Sequence, residues 1–324
     1  MSVFSRNLGS TESRELSALQ QLRVLTESND DNWWKDLLRL WRPAGYDAGD
    51  SGLRLSVRNG YLNFYLRGQS VARVGFGRNG PFAETHIKYA TSNEKEKDQA
   101  YVRLVDREFL RSGQKLAMRY EPESTVNRWI SRADNWGRKK NISGEKVLVD
   151  KAVADNGSVI DLEMGLPSWD GNKTARRMDL VLLEKTKGQL WIVFWEAKTI
   201  SDPRLVSTRR PEVLKQLKYY RDYLANPKRA NWVKCAYRRN CVILTKLHDL
   251  ALEIHPEIEP LNPLIVEAAQ VHDSELNVCP EPRLAIFDDR DGRRTASWPK
   301  HEEKLRASLG NSLRVFEGRN YVLC

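Results

Sequence analysis

Asp179-Leu180-Val181-Leu182-Leu183-Glu184, followed after Lys185-Thr186-Lys187-Gly188 by Gln189-Leu190-Trp191-Ile192-Val193-Phe194-Trp195-Glu196-Ala197-Lys198, is the stretch on which the fold turns. Both runs are apolar at odd and even positions alike, the pattern of strands covered on two faces by helices. A hairpin closing symmetrically about Lys187-Gly188 places Asp179 opposite Glu196, with Cβ atoms about 4.5–5.5 Å apart. Lys198, two residues past Glu196, falls on the same face. Two acids opposed at the end of a buried sheet repel each other. The lysine offsets part of that repulsion, and a hard divalent cation such as Mg²⁺ or Mn²⁺ offsets more, because it takes carboxylates together with waters and phosphate oxygens. Phosphodiester hydrolysis is the chemistry that suits such a set: the cation activates water and balances charge on the phosphorane, and Lys198 orients the water. The plain alternative is a buried ion pair between Lys198 and one acid, which leaves the other acid unexplained. A second Glu-x-Lys triplet, Glu302-Glu303-Lys304, lies in a polar, helix-like stretch and reads as a solvated face.

Working outward, Val126 to Trp136 reads as a helix and Arg138-Lys139-Lys140 as a basic connector, and Ser143 is placed to cap a helix from Gly144 to about Asp155. Ser158 to Leu166 reads as a strand, and the two decisive strands follow. Pro211 to Ala225 reads as a helix, Asn240 to Thr245 as a further buried strand, Pro282 to Asp288 as a strand and His301 to Ser308 as a helix. Helix, three strands, helix, strand predicts an α/β domain with a mixed sheet flanked by helices, over residues 124–324. Residues 1–123 read as a separate N-terminal α+β domain, suited to recognising a target or a partner. Glu12 to Leu25 and Asn32 to Trp41 are its helices. Leu53 to Val57, Tyr61 to Leu66, Ser70 to Val74 and Ala83 to Tyr89 are its strands, with Asn59-Gly60 as a hairpin turn and Thr91 to Ala100 as a charged loop or exposed helix start. Gly75-Phe76-Gly77-Arg78-Asn79-Gly80 fits a dinucleotide fingerprint, but Pro81 follows and no helix does, so a turn between strands is expected and no nucleotide cofactor.

The 324 residues carry a net charge of +10, which favours polyanionic partners, nucleic acid above all. From Asp202 to Arg239 eleven bases (Arg204, Arg209, Arg210, Lys215, Lys218, Arg221, Lys228, Arg229, Lys234, Arg238, Arg239) face three acids (Asp202, Glu212, Asp222), a local +8 beside the expected site. Arg176 and Arg177 add to it. Such a segment is suited to phosphate contacts. No apolar run is long enough for a membrane span, and the first residues lack a signal-peptide core, so a cytoplasmic protein is expected. The four cysteines, Cys235, Cys241, Cys279 and Cys324, form no metal spacing and are expected to be reduced. No P-loop occurs; any ATPase or helicase would be a separate partner. Oligomeric state is open.

Asp179 … Glu196-Ala197-Lys198, on adjacent strands after a helix and a strand, resembles the PD-(D/E)xK nuclease superfamily, with Met178 in place of the namesake proline. Gln216-Leu217-Lys218-Tyr219-Tyr220 resembles the QxxxY element of its RecB-like branch. The resemblance covers about residues 140 to 245. It implies a restriction-endonuclease-like core and Mg²⁺- or Mn²⁺-dependent cleavage of DNA, in a setting of bacterial or phage-related defence or repair. It further implies a metal held by Asp179, Glu196 and the Ala197 carbonyl with one more acid, catalysis by Lys198, and a DNA strand positioned by Gln216 and Tyr220. Tyr220 reads equally as core packing. For the further acid Glu145 is favoured, in the first turn of its helix, with Glu163 as the rival. The iron–sulfur variant of that branch needs four placed cysteines and is not expected. The alternatives are a degenerate nuclease fold that binds nucleic acid without cutting it, and a structure-selective RNase.

Overall fold

The computed structural model describes residues 3–91, 101–139, 144–169, 177–206, 211–272, 274–288, 297–318 and 320–323. The chain divides into two compact units, one of residues 6–143 and 242–261, the other of residues 1–5, 144–241 and 262–324. Among the described residues they hold nine α-helices and two sheets, one antiparallel and one mixed, so the chain is of α/β character.

The first unit opens with α1 (Glu12–Glu27) and α2 (Trp33–Leu40). Asn32 caps α2, its Oδ1 accepting from the N–H groups of Trp34 and Lys35, donors that a helix start leaves unpaired. Trp33, Trp34, Leu37 and Leu38 are buried. A seven-stranded antiparallel meander runs in chain order through β1 (Arg54–Val57), β2 (Tyr61–Leu66), β3 (Gln69–Gly77) and β4 (Gly80–His86), then α3 (Ile87–Ala90), then β5 (Tyr101–Val105), β6 (Glu108–Arg111) and β7 (Gln114–Arg119). The Asn59-Gly60 turn closes β1 on β2, Val57 facing Leu62. Arg78-Asn79 closes β3 on β4 with Gly77 facing Gly80, so the glycine-rich motif leads into a strand and not into the helix a dinucleotide fingerprint opens. The fourth expected strand stops at His86, where the backbone turns helical, and β5 to β7 extend the sheet beyond what the sequence reading contained. The expected charged loop falls mostly on residues 92–100, outside the described residues. The unit also holds α4 (Ser124–Lys139), which the boundary expected between residues 123 and 124 would have assigned to the other side. Ser143, the expected cap of the next helix, lies outside the described residues.

The second unit is built from α5 (Gly144–Asp155), β8 (Val159–Gly165), β9 (Arg177–Thr186), β10 (Gln189–Thr199), α6 (Glu212–Leu224) and the first half of α7 (Pro227–Ile254). It continues with α8 (Pro263–Gln270), β11 (Leu276–Val278), β12 (Arg283–Phe287), α9 (Trp298–Leu309) and β13 (Leu313–Phe316). The strand order is β13-β12-β10-β9-β8, with β11 also on β10. Strand β10 is antiparallel to β9 and parallel to β11 and β12, which makes the sheet mixed. Its second triplet of the Glu-x-Lys type lies on α9, where Glu302 accepts from Trp298 and Arg306.

One sequence expectation is overturned. Residues 240–245 are part of α7, not a strand. The apolar run Cys241-Val242-Ile243-Leu244 is too short to separate a strand from a buried helix by itself. Around it, Val233, Ala236, Tyr237, Asn240, Cys241, Leu244, Leu247, His248 and Ala251 are all buried, a spacing of three and four that only a helix satisfies. The strand parallel to β10 comes later in the chain, from β12, whose Arg283 to Phe287 pair with Trp195 to Thr199. A parallel neighbour needs a long crossover, which the helices α6 to α8 supply. Against β12 and β13, α6 and α9 bury a cluster that includes Leu205, Val213, Leu217, Leu284, Ile286, Trp298 and Leu305. Among the described residues no helix is long and apolar enough to cross a membrane.

Candidate active site

The site begins at the hairpin turn. Lys187 (φ 52°) and Gly188 (φ 78°) both adopt the left-handed conformation that matches the twist of a two-residue hairpin. The ladder they set runs from Thr186 facing Gln189 to Leu180 facing Trp195, so the next residues outward are Asp179 and Glu196, as the symmetric reading requires. There the acids are held differently. Asp179 Oδ2 accepts from the Ala197 N–H at 2.7 Å, whereas Glu196 Oε1 lies 2.5 Å from Lys198 Nζ. The same ammonium lies 3.4 Å from Glu145 Oε2 and 3.7 Å from Asp179 Oδ2, and donates to the Ala197 carbonyl at 2.5 Å. Helix α5 thus delivers Glu145 from its first turn to the end of the β9–β10 hairpin.

Burial grades across the cluster. The side chains of Glu196 and Lys198 are 2% exposed, that of Asp179 16% and that of Glu145 31%, so the site opens on the Glu145 side. Burial, opposed by Lys198 and reinforced by Glu145, lifts the Asp179 carboxyl to about 6. Burial and the neighbouring Asp179 push Glu196 well above the ordinary range. Burial works against the charge of Lys198, but Asp179, Glu196 and Glu145 outweigh it and hold the ammonium above its usual value.

Glu163, the rival acid, borders the cluster on the Asp179 side and adds to the upward push on that carboxyl. Leu162 faces Leu180 and Met164 faces Met178, so Glu163 sits across from Asp179 on β8, but at φ 51°, a left-handed backbone that costs a non-glycine residue about 1 kcal/mol or more. Its carboxylate lies 3.8 Å from Lys146 and 3.7 Å from Arg177, and Lys198 is not among its ion-pair partners. Geometry therefore groups Glu145, not Glu163, with the lysine.

The residues expected to grip substrate divide. Gln216 Nε2 donates to the Arg177 carbonyl at 3.4 Å, which fixes α6 beside the start of β9, two residues before Asp179. Lys215 and Lys218 are exposed on the same helix, and Lys218 is paired with Asp222 at 2.5 Å. Arg177 is exposed; Arg176 lies outside the described residues, as do Arg209 and Arg210. Tyr220 is a correction: it is fully buried, its ring 5.9 Å from that of Tyr219, so it packs the helix onto the unit and does not face a substrate strand. Its position four residues after Gln216 is shared by core and surface tyrosines alike, and sequence does not separate them. The +8 segment is also less free than its sequence implies, since Arg204 pairs with Asp202 and Arg221 with Glu281.

Two residues were missed as site members. Asp202 and Arg204 follow β10 in a turn, and Arg204 Nη2 lies 3.7 Å from Glu145 Oε2. The signal available in the sequence was Asp202-Pro203 directly after the strand, a helical-turn start that bends the chain back.

The donors suit a hard divalent cation by their chemistry. All are oxygens, the cluster's four acids outnumber its two bases, and Glu196 Oε2 is buried with no hydrogen-bond partner. In the geometry described, the Lys198 ammonium stands between the acids, and among the described residues no three His, Cys, Asp or Glu side chains form a ready-made cation cage. Occupancy by a cation therefore requires Lys198 to draw back from Glu196. No family model, no curated protein and no solved structure matches the chain.

Proposed function

We propose that this cluster is the centre of a Mg²⁺- or Mn²⁺-dependent nuclease that hydrolyses phosphodiester bonds in DNA, on a restriction-endonuclease-like core. The observation that carries the reading is a lysine buried among three carboxylates, with one carboxylate oxygen left unpartnered. A structural ion pair needs one acid, and retaining more at the open end of a sheet is costly unless a cation or a substrate uses them. Asp179, Glu196, Glu145 and the Ala197 carbonyl are the groups that would hold the metal, which supplies Lewis-acid activation of water and neutralises phosphoryl charge. Lys198 orients the attacking water and donates to the charge that develops on the phosphoryl oxygens. In the overall step water adds its oxygen to phosphorus, one P–O ester bond breaks, and the departing oxygen takes a proton.

The experiment is incubation of the full chain with linear duplex, circular duplex and single-stranded DNA and with RNA, in Mg²⁺ or in EDTA. Cleavage of a DNA substrate in Mg²⁺, absent in EDTA, is the expected result. Lys198→Ala should lower the rate about 100-fold or more, in line with the loss of a positioned proton donor. A Lys198→Ala protein as active as the wild type would remove the assignment. Cleavage confined to RNA would redirect it to an RNase, and tight nucleic-acid binding without cleavage of any substrate would make the chain a binding module.

A further inference from the structure

We propose that Arg204 is a phosphate-binding residue of this centre, taking a non-bridging oxygen of the nucleic-acid backbone beside Glu145; the inference rests on the nuclease reading above. The chain turns as soon as β10 ends. The Asp202 N–H donates to the Thr199 carbonyl at 2.9 Å, and the N–H groups of Leu205 and Val206 donate to the carbonyls of Asp202 and Pro203, each at 3.1 Å. Pro203 presets the first residue of that turn, and Leu205, fully buried, anchors it in the cluster formed by α6, α9 and β12. Arg204 is therefore presented by a rigid segment, not by a loose loop.

Its side chain is fixed as well. Asp202, 8% exposed, accepts the Arg204 N–H at 2.8 Å and grips the guanidinium along one edge, Nε to Oδ1 at 2.9 Å and Nη2 to Oδ2 at 2.5 Å. A guanidinium is planar, so with that edge taken the Nη1/Nη2 edge looks away from Asp202. On that edge Nη2 lies 3.7 Å from Glu145 Oε2, too far for a hydrogen bond, and Nη1 donates to nothing among the described residues. The side chain is 40% exposed, on the same open side of the cluster as Glu145. Two parallel donors on a pre-oriented fork match a phosphate oxygen pair, and the ordering entropy is already met before substrate arrives.

A rival role, bracing Glu145 alone, gives different kinetics. The test uses the full chain as wild type, Arg204→Ala, Arg204→Gln and Arg204→Lys. Binding is read by fluorescence anisotropy with a labelled DNA oligonucleotide in Ca²⁺, and cleavage is read as a function of Mg²⁺. Arg204→Ala and Arg204→Gln should bind the oligonucleotide about tenfold or more weakly and lose kcat/KM to match, with an unchanged Mg²⁺ midpoint. Arg204→Lys should recover little, because an ammonium is a single point of contact. Equal oligonucleotide affinity in wild type and both neutral variants overturns the proposal. So does a defect seen only as a raised Mg²⁺ midpoint that saturating Mg²⁺ and Arg204→Lys both repair, since that is the brace. If the wild type cuts no nucleic acid, the nuclease reading fails by itself, and the binding comparison still decides the role of Arg204.

Discussion

At the scale of single residues, Asp179 and Glu196 face one lysine but carry different loads. Glu196 is the intimate partner of Lys198, whereas Asp179 leans on the backbone N–H of Ala197 and meets Lys198 only at 3.7 Å. The buried ion pair that could account for the cluster without chemistry is thus Lys198 with Glu196, and Asp179 is the acid it leaves over. This has a consequence for stability. The Asp179 carboxyl is held at about 6, above the 3.8 of an unperturbed aspartate, chiefly by burial. Between those values the folded chain keeps a proton that the unfolded chain has released, so raising the pH through that window drains stability. Asp179→Asn keeps an oxygen for the Ala197 N–H and removes the titration. Urea midpoints in EDTA from pH 4 to pH 7 should show wild type losing ground to Asp179→Asn as the pH rises. Parallel curves, or a mutant that falls behind, would mean that Asp179 is a structural partner of Lys198.

At the scale of elements, the β9–β10 hairpin was legible because a two-residue turn with glycine in second place admits one symmetric register, and that register fixes which side chains meet. The acid on α5 was legible in part, since first-turn position placed Glu145 near a strand end but did not exclude Glu163. What sequence did not yield has equally local causes. Residues 240–245 are apolar enough for a strand, and only the burial spacing from Val233 to Ala251 reveals the helix. Strands β6 and β7 are short and half-exposed, so they carry little apolar alternation, although Ser112-Gly113 between them is a turn signal. Helix α6 makes its own prediction. Lys215 is exposed, while Lys218 already shares its charge with Asp222. Lys215→Glu should therefore weaken oligonucleotide binding and flatten its salt dependence more than Lys218→Glu does. Identical salt slopes in wild type and Lys215→Glu would place the nucleic acid away from this helix.

At the scale of the whole molecule, every side chain of the cluster belongs to one compact unit, residues 144–241 with 262–324 and the first five residues. That makes metal binding a question the melting curve can answer without any substrate. Wild type free of metal confines more carboxylates than bases in a buried setting, a repulsion that unfolding relieves and a cation would relieve in place. A cation that binds only the folded state stabilises it by mass action, about 2.7 kcal/mol when its concentration is 100 times the dissociation constant. For a unit of this size that corresponds to a rise in Tm of roughly 2–4 °C for each kcal/mol. Mg²⁺ should raise the transition of the unit that holds the cluster, and a separate transition of the other unit, where one is resolved, should stay where it is. Asp179→Asn should gain little from Mg²⁺, having lost a ligand charge, yet start from an equal or higher Tm in EDTA. A purely structural Lys198–Glu196 pair predicts that wild type and Asp179→Asn are both indifferent to Mg²⁺, and a mutant lowered in EDTA by about 3–5 kcal/mol would instead make Asp179 the acid that balances Lys198. Because wild type and mutant are each compared with and without Mg²⁺, a general salt effect moves both proteins alike and cannot imitate either outcome.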